Sequence, residues 1–227
     1  MWKLAFLYFF LIVVLFTRCT NPENKQLDSA FTGPVYYNLK VWGEEGNDSI
    51  NCFFQYHSPT MDGPVIFPGE KEIVKIDNKD LKPDSAKLSG PYYDLRLTKK
   101  GFSGKHELEY ATGTNKLTKT VFEFHVFNPA PGWPLSIKRG EHQLLLENLS
   151  QGTTTIRLSM VDTSFDTNDF NELVTVEKGR LHLTADMLKD LSPGPISLEI
   201  TREEEKVNEN GRIWTSYSIR REFELVD

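Results

Sequence analysis

The groups from which a catalytic or metal site would be built are few in this chain and poorly spaced. Its five histidines are His57, His106, His125, His142 and His182, and no two lie four residues apart. There is no HExxH pair and no CxxC array, the spacings that set zinc ligands on one helix face or one knuckle. His106, His125 and His182 fall in segments that read as strands, where a histidine is commonly a satisfied packing residue. A nucleophile elbow of the G-x-S-x-G type and a glycine-rich phosphate loop are both missing from the sequence. The densest run of hard oxygen ligands lies between 162 and 172, where Asp162, Asp166 and Asp169 could face Ca²⁺. It lacks the D-x-[DN]-x-[DN]-G order of an EF-hand loop, so it reads as a solvated loop between two strands. Adjacent acids, Glu44-Glu45 and Glu203-Glu204-Glu205, read as solvated surface, the latter at a hairpin tip. No catalytic residue, cofactor or resident metal is therefore expected.

Aromatic side chains are the other candidates. Trp42, Trp133, Trp214, Tyr36, Tyr92 and Tyr93 could build a platform on which a sugar ring or a peptide stacks. In strands such residues usually fill the core. Trp133 differs, because it sits among Pro129, Pro131 and Pro134; it either staples two domains together or lies exposed, and the staple is the favoured reading. Tyr92 and Tyr93 are neighbours in a strand, which sends their rings to opposite faces, so at least one is expected to point outward. Trp133, Tyr92 and Tyr93 are thus the candidate ligand-binding residues.

The elements that must position them are strands almost throughout. In 35–42, Tyr37, Leu39 and Val41 share one face, and the turn-rich 43–48 leads to a second alternating run at 50–56. Further strands read at 72–76, 92–97, 106–111 and 119–127, with Thr112-Gly113-Thr114-Asn115 as the turn of a hairpin. Three prolines and a glycine in 128–134 cannot continue a central strand. Strands resume at 143–147, 154–161, 172–176, 180–183, 196–201 and 212–226. A single helical turn is expected at 184–191, with Thr184 as N-cap and Pro193 just beyond.

The two halves look alike at an offset near 100 residues. Glu72-Ile73-Val74-Lys75-Ile76 matches Glu172-Leu173-Val174-Thr175-Val176, and Phe122-Glu123-Phe124 matches Phe223-Glu224-Leu225. Gly104 and Gly194 each precede a closing hairpin. The expected fold is all-β: two tandem antiparallel immunoglobulin-like sandwiches at 34–128 and 135–227, joined by a linker at 129–134. A single large barrel or jelly roll is the alternative that the prolines oppose.

Residues 1–18 stand apart. Lys3 precedes an unbroken apolar run of 13 residues at 4–16, the length of a signal h-region and short of the ~20 that cross a bilayer. The chain turns polar at once after Cys19, and 20–33 reads as a flexible tether. Leu15-Phe16-Thr17-Arg18-Cys19 resembles a bacterial lipobox, with Arg18 where a small residue is usual. That resemblance implies acylation of Cys19 as a membrane anchor. Removing 1–18 takes away Lys3 and Arg18 and brings the net charge from −6 to −8. An acidic chain without a Lys/Arg cluster is poorly suited to phosphate backbones, so nucleic acid is not an expected partner. The one other cysteine, Cys52, lies in the apolar run Ile50-Asn51-Cys52-Phe53-Phe54 and reads as a buried strand residue.

The anchor, the punctuated strands and the segment from Gly179 through His182, Thr184 and Met187 to Leu198 resemble outer-membrane lipoproteins of Bacteroidota with tandem immunoglobulin-like domains. That group has no shared catalytic motif to carry over. The resemblance implies an outer-membrane protein, on the periplasmic or the surface side. The expected function is a non-catalytic module binding an envelope protein or a glycan. A structural subunit of an envelope assembly is the first alternative, and a carbohydrate-active or peptidase enzyme the second.

Overall fold

The computed structural model describes residues 33–67, 72–112, 116–149, 151–162 and 169–227. The expected anchor at Cys19, the tether and Asp166 lie outside these residues. The chain forms two antiparallel sandwiches, as the alternation requires.

In the first, β1 (Tyr36–Glu44), β2 (Ser49–His57), β7 (Gly90–Thr98) and β6 (Lys82–Ala86) lie side by side in that order. Facing them is a sheet of β5 (Lys79–Asp80), β4 (Val74–Ile76), β8 (Gly104–Thr112) and β9 (Lys116–Phe124). A two-residue strand, β3 (Val65–Ile66), pairs with β2. This is the strand order of an immunoglobulin-like sandwich, with the first, second, fifth and fourth strands in one sheet. Every second residue of β1 and β2 faces inward: Tyr37, Leu39 and Val41, then Ile50, Cys52, Phe54 and Tyr56 are all buried. The core is aromatic. Phe54 meets Tyr56 edge-on with ring centres 4.7 Å apart, and Tyr37 lies 4.7 Å from Tyr110.

In the second sandwich, β10 (Asn128–Pro129), β12 (His142–Glu147) and β15 (Arg180–Leu183) form one layer. The other holds β14 (Phe170–Glu177), β13 (Thr153–Asp162), β16 (Gly194–Asn208), β17 (Gly211–Val226) and β11 (Ser136–Lys138). A single residue pair, Glu177 with Arg180, links the two layers. The expected helical turn is present as α1 (Ala185–Leu188); the Thr184 hydroxyl accepts the Met187 N–H at 3.3 Å, and Leu188 is fully buried.

Two observations revise the reading of the halves as beads on a linker. Strand β10 already belongs to the second sandwich, since Asn128 and Pro129 pair with Glu147 and Leu146; a proline is tolerated there because the strand is an edge. More consequentially, β16 runs to Asn208, well past the expected end at 201, so that the hairpin β16–β17 spans both sandwiches. Its base, from 196 to 201, pairs with β13. Beyond Thr201 it continues, and β17 from Gly211 to Ser218 pairs in parallel with β1. The second domain's last hairpin thus supplies an extra strand to the first domain's sheet.

The internal match is also uneven. The hairpins β8–β9 and β16–β17 both open on a glycine of the same conformation, Gly104 at φ +130° and Gly194 at φ +127°, opposite Phe124 and Leu225. Strands β4 and β14, by contrast, hold different places: β4 pairs directly with β8, whereas β13 separates β14 from β16. Their common sequence reflects only the period of a half-buried strand.

Candidate functional site

Because side chains alternate along β16–β17, one face of the whole hairpin covers both cores and the other faces outward along its length. Ile213, Tyr217, Ile219, Phe223 and Leu225 are buried on the inner face. Trp214 is half-buried on the outer face, paired with Glu205 on one side and Lys40 on the other. Next along that face comes Trp42, 39% exposed and paired with Ser216. Lys40 pairs with Phe53, and the Phe53 ring stacks on Tyr92 at 4.7 Å. The aromatic line Trp214–Trp42–Phe53–Tyr92 therefore crosses four adjacent strands, roughly 15 Å at the usual strand spacing. Polar groups are interleaved: Lys40, Asn51, Asp94 and Arg96, with Arg96 Nε donating to Asn51 Oδ1 at 3.3 Å.

The strip ends in a cleft. Strands β13 and β16 are paired as far as Arg157 with Thr201 and then part, because β16 follows β17 towards the first sandwich. The fork encloses about 300 Å³, lined by Arg157, Leu173, Glu203, Glu205 and Trp214 among others. Arg157 Nε lies 3.5 Å from Glu203 Oε2 and its Nη1 donates to Asn171 Oδ1 at 3.3 Å. Arg212 Nη1 lies 3.7 Å from Glu205 Oε1, while Arg212 Nη2 donates to Asp62 Oδ1 at 2.5 Å. The run Glu203-Glu204-Glu205 is thus mid-strand and paired with arginines, not at a hairpin tip; the tip is Glu209-Asn210. Alternation had marked β16 only to 201, since 202–207 is charged on both faces.

The expected ligand residues separate. Tyr93 is 3% exposed in the first core, where burial pushes its phenol well above the ordinary value. Tyr92 is the ring that faces out; its hydroxyl donates to Asp84 Oδ2 at 3.1 Å, and that carboxylate raises the phenol pKa. Trp133 packs half-buried on the second sandwich, its indole N–H donating to the Leu145 carbonyl at 2.8 Å. Aromatic contact at the junction is made by Phe127, fully buried with its ring centre 5.6 Å from Tyr217. Reading β9 through to Phe127 hid it inside a strand, whereas β9 ends at Phe124.

The titratable residues occupy ordinary structural positions. His106 bonds Asp77 Oδ2 through Nδ1 and the Phe102 carbonyl through Nε2, both at 2.6 Å, leaving neither nitrogen for a hydroxyl. His125 lies near the junction, and burial, with Arg202 nearby, lowers its pKa from 6.5. Asp162 is buried and its Oδ2 accepts the Ser192 N–H at 2.7 Å; Asp169 is exposed. Among the described residues no three of His, Cys, Asp or Glu group closely enough to hold a metal ion, and no helix is long and apolar enough to cross a membrane.

No protein-family model matches this chain, and no curated protein does. Solved structures match weakly. An Escherichia coli alpha-2-macroglobulin activated by porcine elastase aligns over 85% of this chain and 20% of its own length, at 12% identity and a TM-score of 0.29. The IG1+IG2 segment of DIP-gamma aligns over 85% and 95% of the two chains, at 10% identity and a TM-score of 0.24. Dpr11 IG1 bound to DIP-gamma gives 9% identity and 0.25 over 85% of this chain and 99% of that one. The chain thus spans about a fifth of the macroglobulin. At these scores the fold assignment rests on the strand order above.

Proposed function

We propose that this chain is a non-catalytic interaction module, held at the cell envelope by a lipid on Cys19, that meets an envelope protein or a glycan through its outer sheet face. One observation carries the reading: the line Trp214–Trp42–Phe53–Tyr92 with polar residues between, on the sheet face turned away from the cores. Half-exposed aromatics on a rigid sheet give large contact area at small entropic cost. Their surroundings of Lys40, Asn51, Asp94 and Arg96 can satisfy the polar atoms of a partner. The charge balance of the chain speaks against nucleic acid.

Cross-linking in intact cells of the native host, followed by recovery through a C-terminal tag, tests the face. A partner or glycan recovered by the wild-type protein and lost in Trp42→Ala supports the reading; equal recovery by both sinks it. Incorporation of an alkyne-labelled fatty acid, abolished by Cys19→Ser, tests the anchor separately.

A further inference from the structure

We infer that the cleft where β13 and β16 part binds a neutral saccharide, one ring lying on the Trp214 indole; this rests on the outer face being the binding face. Charge decides the ligand class. Of the three carboxylates that line the cleft, Glu203 is balanced by Arg157 at 3.5 Å, Glu204 by Arg202 and Glu205 by Arg212 at 3.7 Å. An anion entering the cleft meets the carboxylates, and a cation meets carboxylates already paired and the Arg157 guanidinium, so neither gains much. A polyhydroxyl ligand gains from both, because its hydroxyls can donate to the carboxylates and accept from Arg157. The indole offers a flat apolar face for the C–H side of a ring. Leu173, 61% exposed on the opposite wall, offers a second apolar contact. A volume of about 300 Å³ fits a small ligand of this kind.

Strand addition is the competing use of this place, since β16 leaves its partner β13 at Thr201. Two features oppose it. The edge beyond Thr201 carries five charged residues in succession, 202–206, a pattern that blunts edge pairing. The Arg157 side chain also reaches across from β13 to Glu203, along the path an added strand would take.

The test uses the full chain in a sugar-free zwitterionic detergent, with a panel of neutral oligosaccharides, an oligogalacturonate and an oligolysine peptide. Saturation-transfer NMR and tryptophan fluorescence read the binding. The expected result is binding of a neutral oligosaccharide that changes little between about 50 and about 500 mM salt. Trp214→Ala should weaken it about tenfold or more. If that variant fails to fold, the Glu203→Ala/Glu205→Ala pair, both exposed, should weaken it similarly. Binding of no neutral oligosaccharide, or binding that both variants leave intact, overturns the inference. Salt-sensitive capture of only the galacturonate or the oligolysine also overturns it. In either case a cross-linked partner lost in Trp42→Ala keeps the wider reading of the face.

Discussion

At the scale of single residues, the first core separates two tyrosines that look interchangeable in sequence. The Tyr56 hydroxyl donates to the Ala111 carbonyl at 2.6 Å, whereas the buried Tyr93 hydroxyl has no hydrogen-bond partner among the described residues. Tyr56→Phe should therefore cost about 1 kcal/mol, and Tyr93→Phe should be neutral or stabilising by up to about 1 kcal/mol. Urea unfolding midpoints at constant slope check both; equal losses would show that Tyr93 is bonded after all. Cys52 is 1% exposed and burial pushes its thiol pKa up to about 12. At pH 8 it should resist alkylation in the folded protein and react within minutes in denaturant, as mass spectrometry would record. The burial of Cys52, and that Tyr92 and Tyr93 face opposite ways, were legible from alternation; which of the two rings points outward was not. Nor was the unpartnered hydroxyl, because alternation assigns a face without saying what lies across it.

At the scale of elements, the long hairpin is the device on which the architecture turns. Gly211 begins β17 opposite Tyr37, and a Cβ there would stand 2.2 Å from the Tyr37 carbonyl oxygen. Gly211→Ala should destabilise by about 2 kcal/mol or more by pushing β17 off β1. Thermal unfolding measures the loss, and an unchanged midpoint would mean that the pairing is dispensable. The base of the hairpin is tied separately: the Arg221 guanidinium grips both Glu45 oxygens, with Nη2 to Oε1 at 2.6 Å. The helical turn and its Thr184 cap could be read directly, since a capping hydroxyl and a following proline are local signals. The reach of β16 could not. Residues 202–207 lack an apolar face, and their extended form is imposed by the ladder to β17, itself held by β1.

Across the whole molecule, the shared strand makes two sandwiches behave as one. Differential scanning calorimetry should show a single transition, with calorimetric and van't Hoff enthalpies equal; two resolved transitions would mean that the β17–β1 pairing adds little coupling. The junction also predicts a pH dependence. With its folded pKa below 6.5, His125 takes up a proton in the unfolded chain before it does so in the folded one. Its neutral form therefore supports the fold fully above about pH 6.5, and that support is lost as the pH falls below it. His125→Gln should flatten the stability curve below about pH 6.5, measured by urea unfolding at a series of pH values on either side of it. A curve parallel to the wild type would remove His125 from the junction's energetics.

By itself the sequence determined the all-β class, most strand positions and the residues that face inward, because period-two alternation and turn chemistry are local properties. It also supplied the aromatic inventory from which a binding face could be drawn. Only the tertiary structure decided which aromatics share a surface, that Trp133 belongs to the second sandwich, and that Glu203 and Glu205 line a cleft with Trp214. Those facts follow from strand pairings between segments up to about 170 residues apart, such as Tyr37 with Gly211. Such pairings are set by the packing of the whole chain, and no local pattern encodes them.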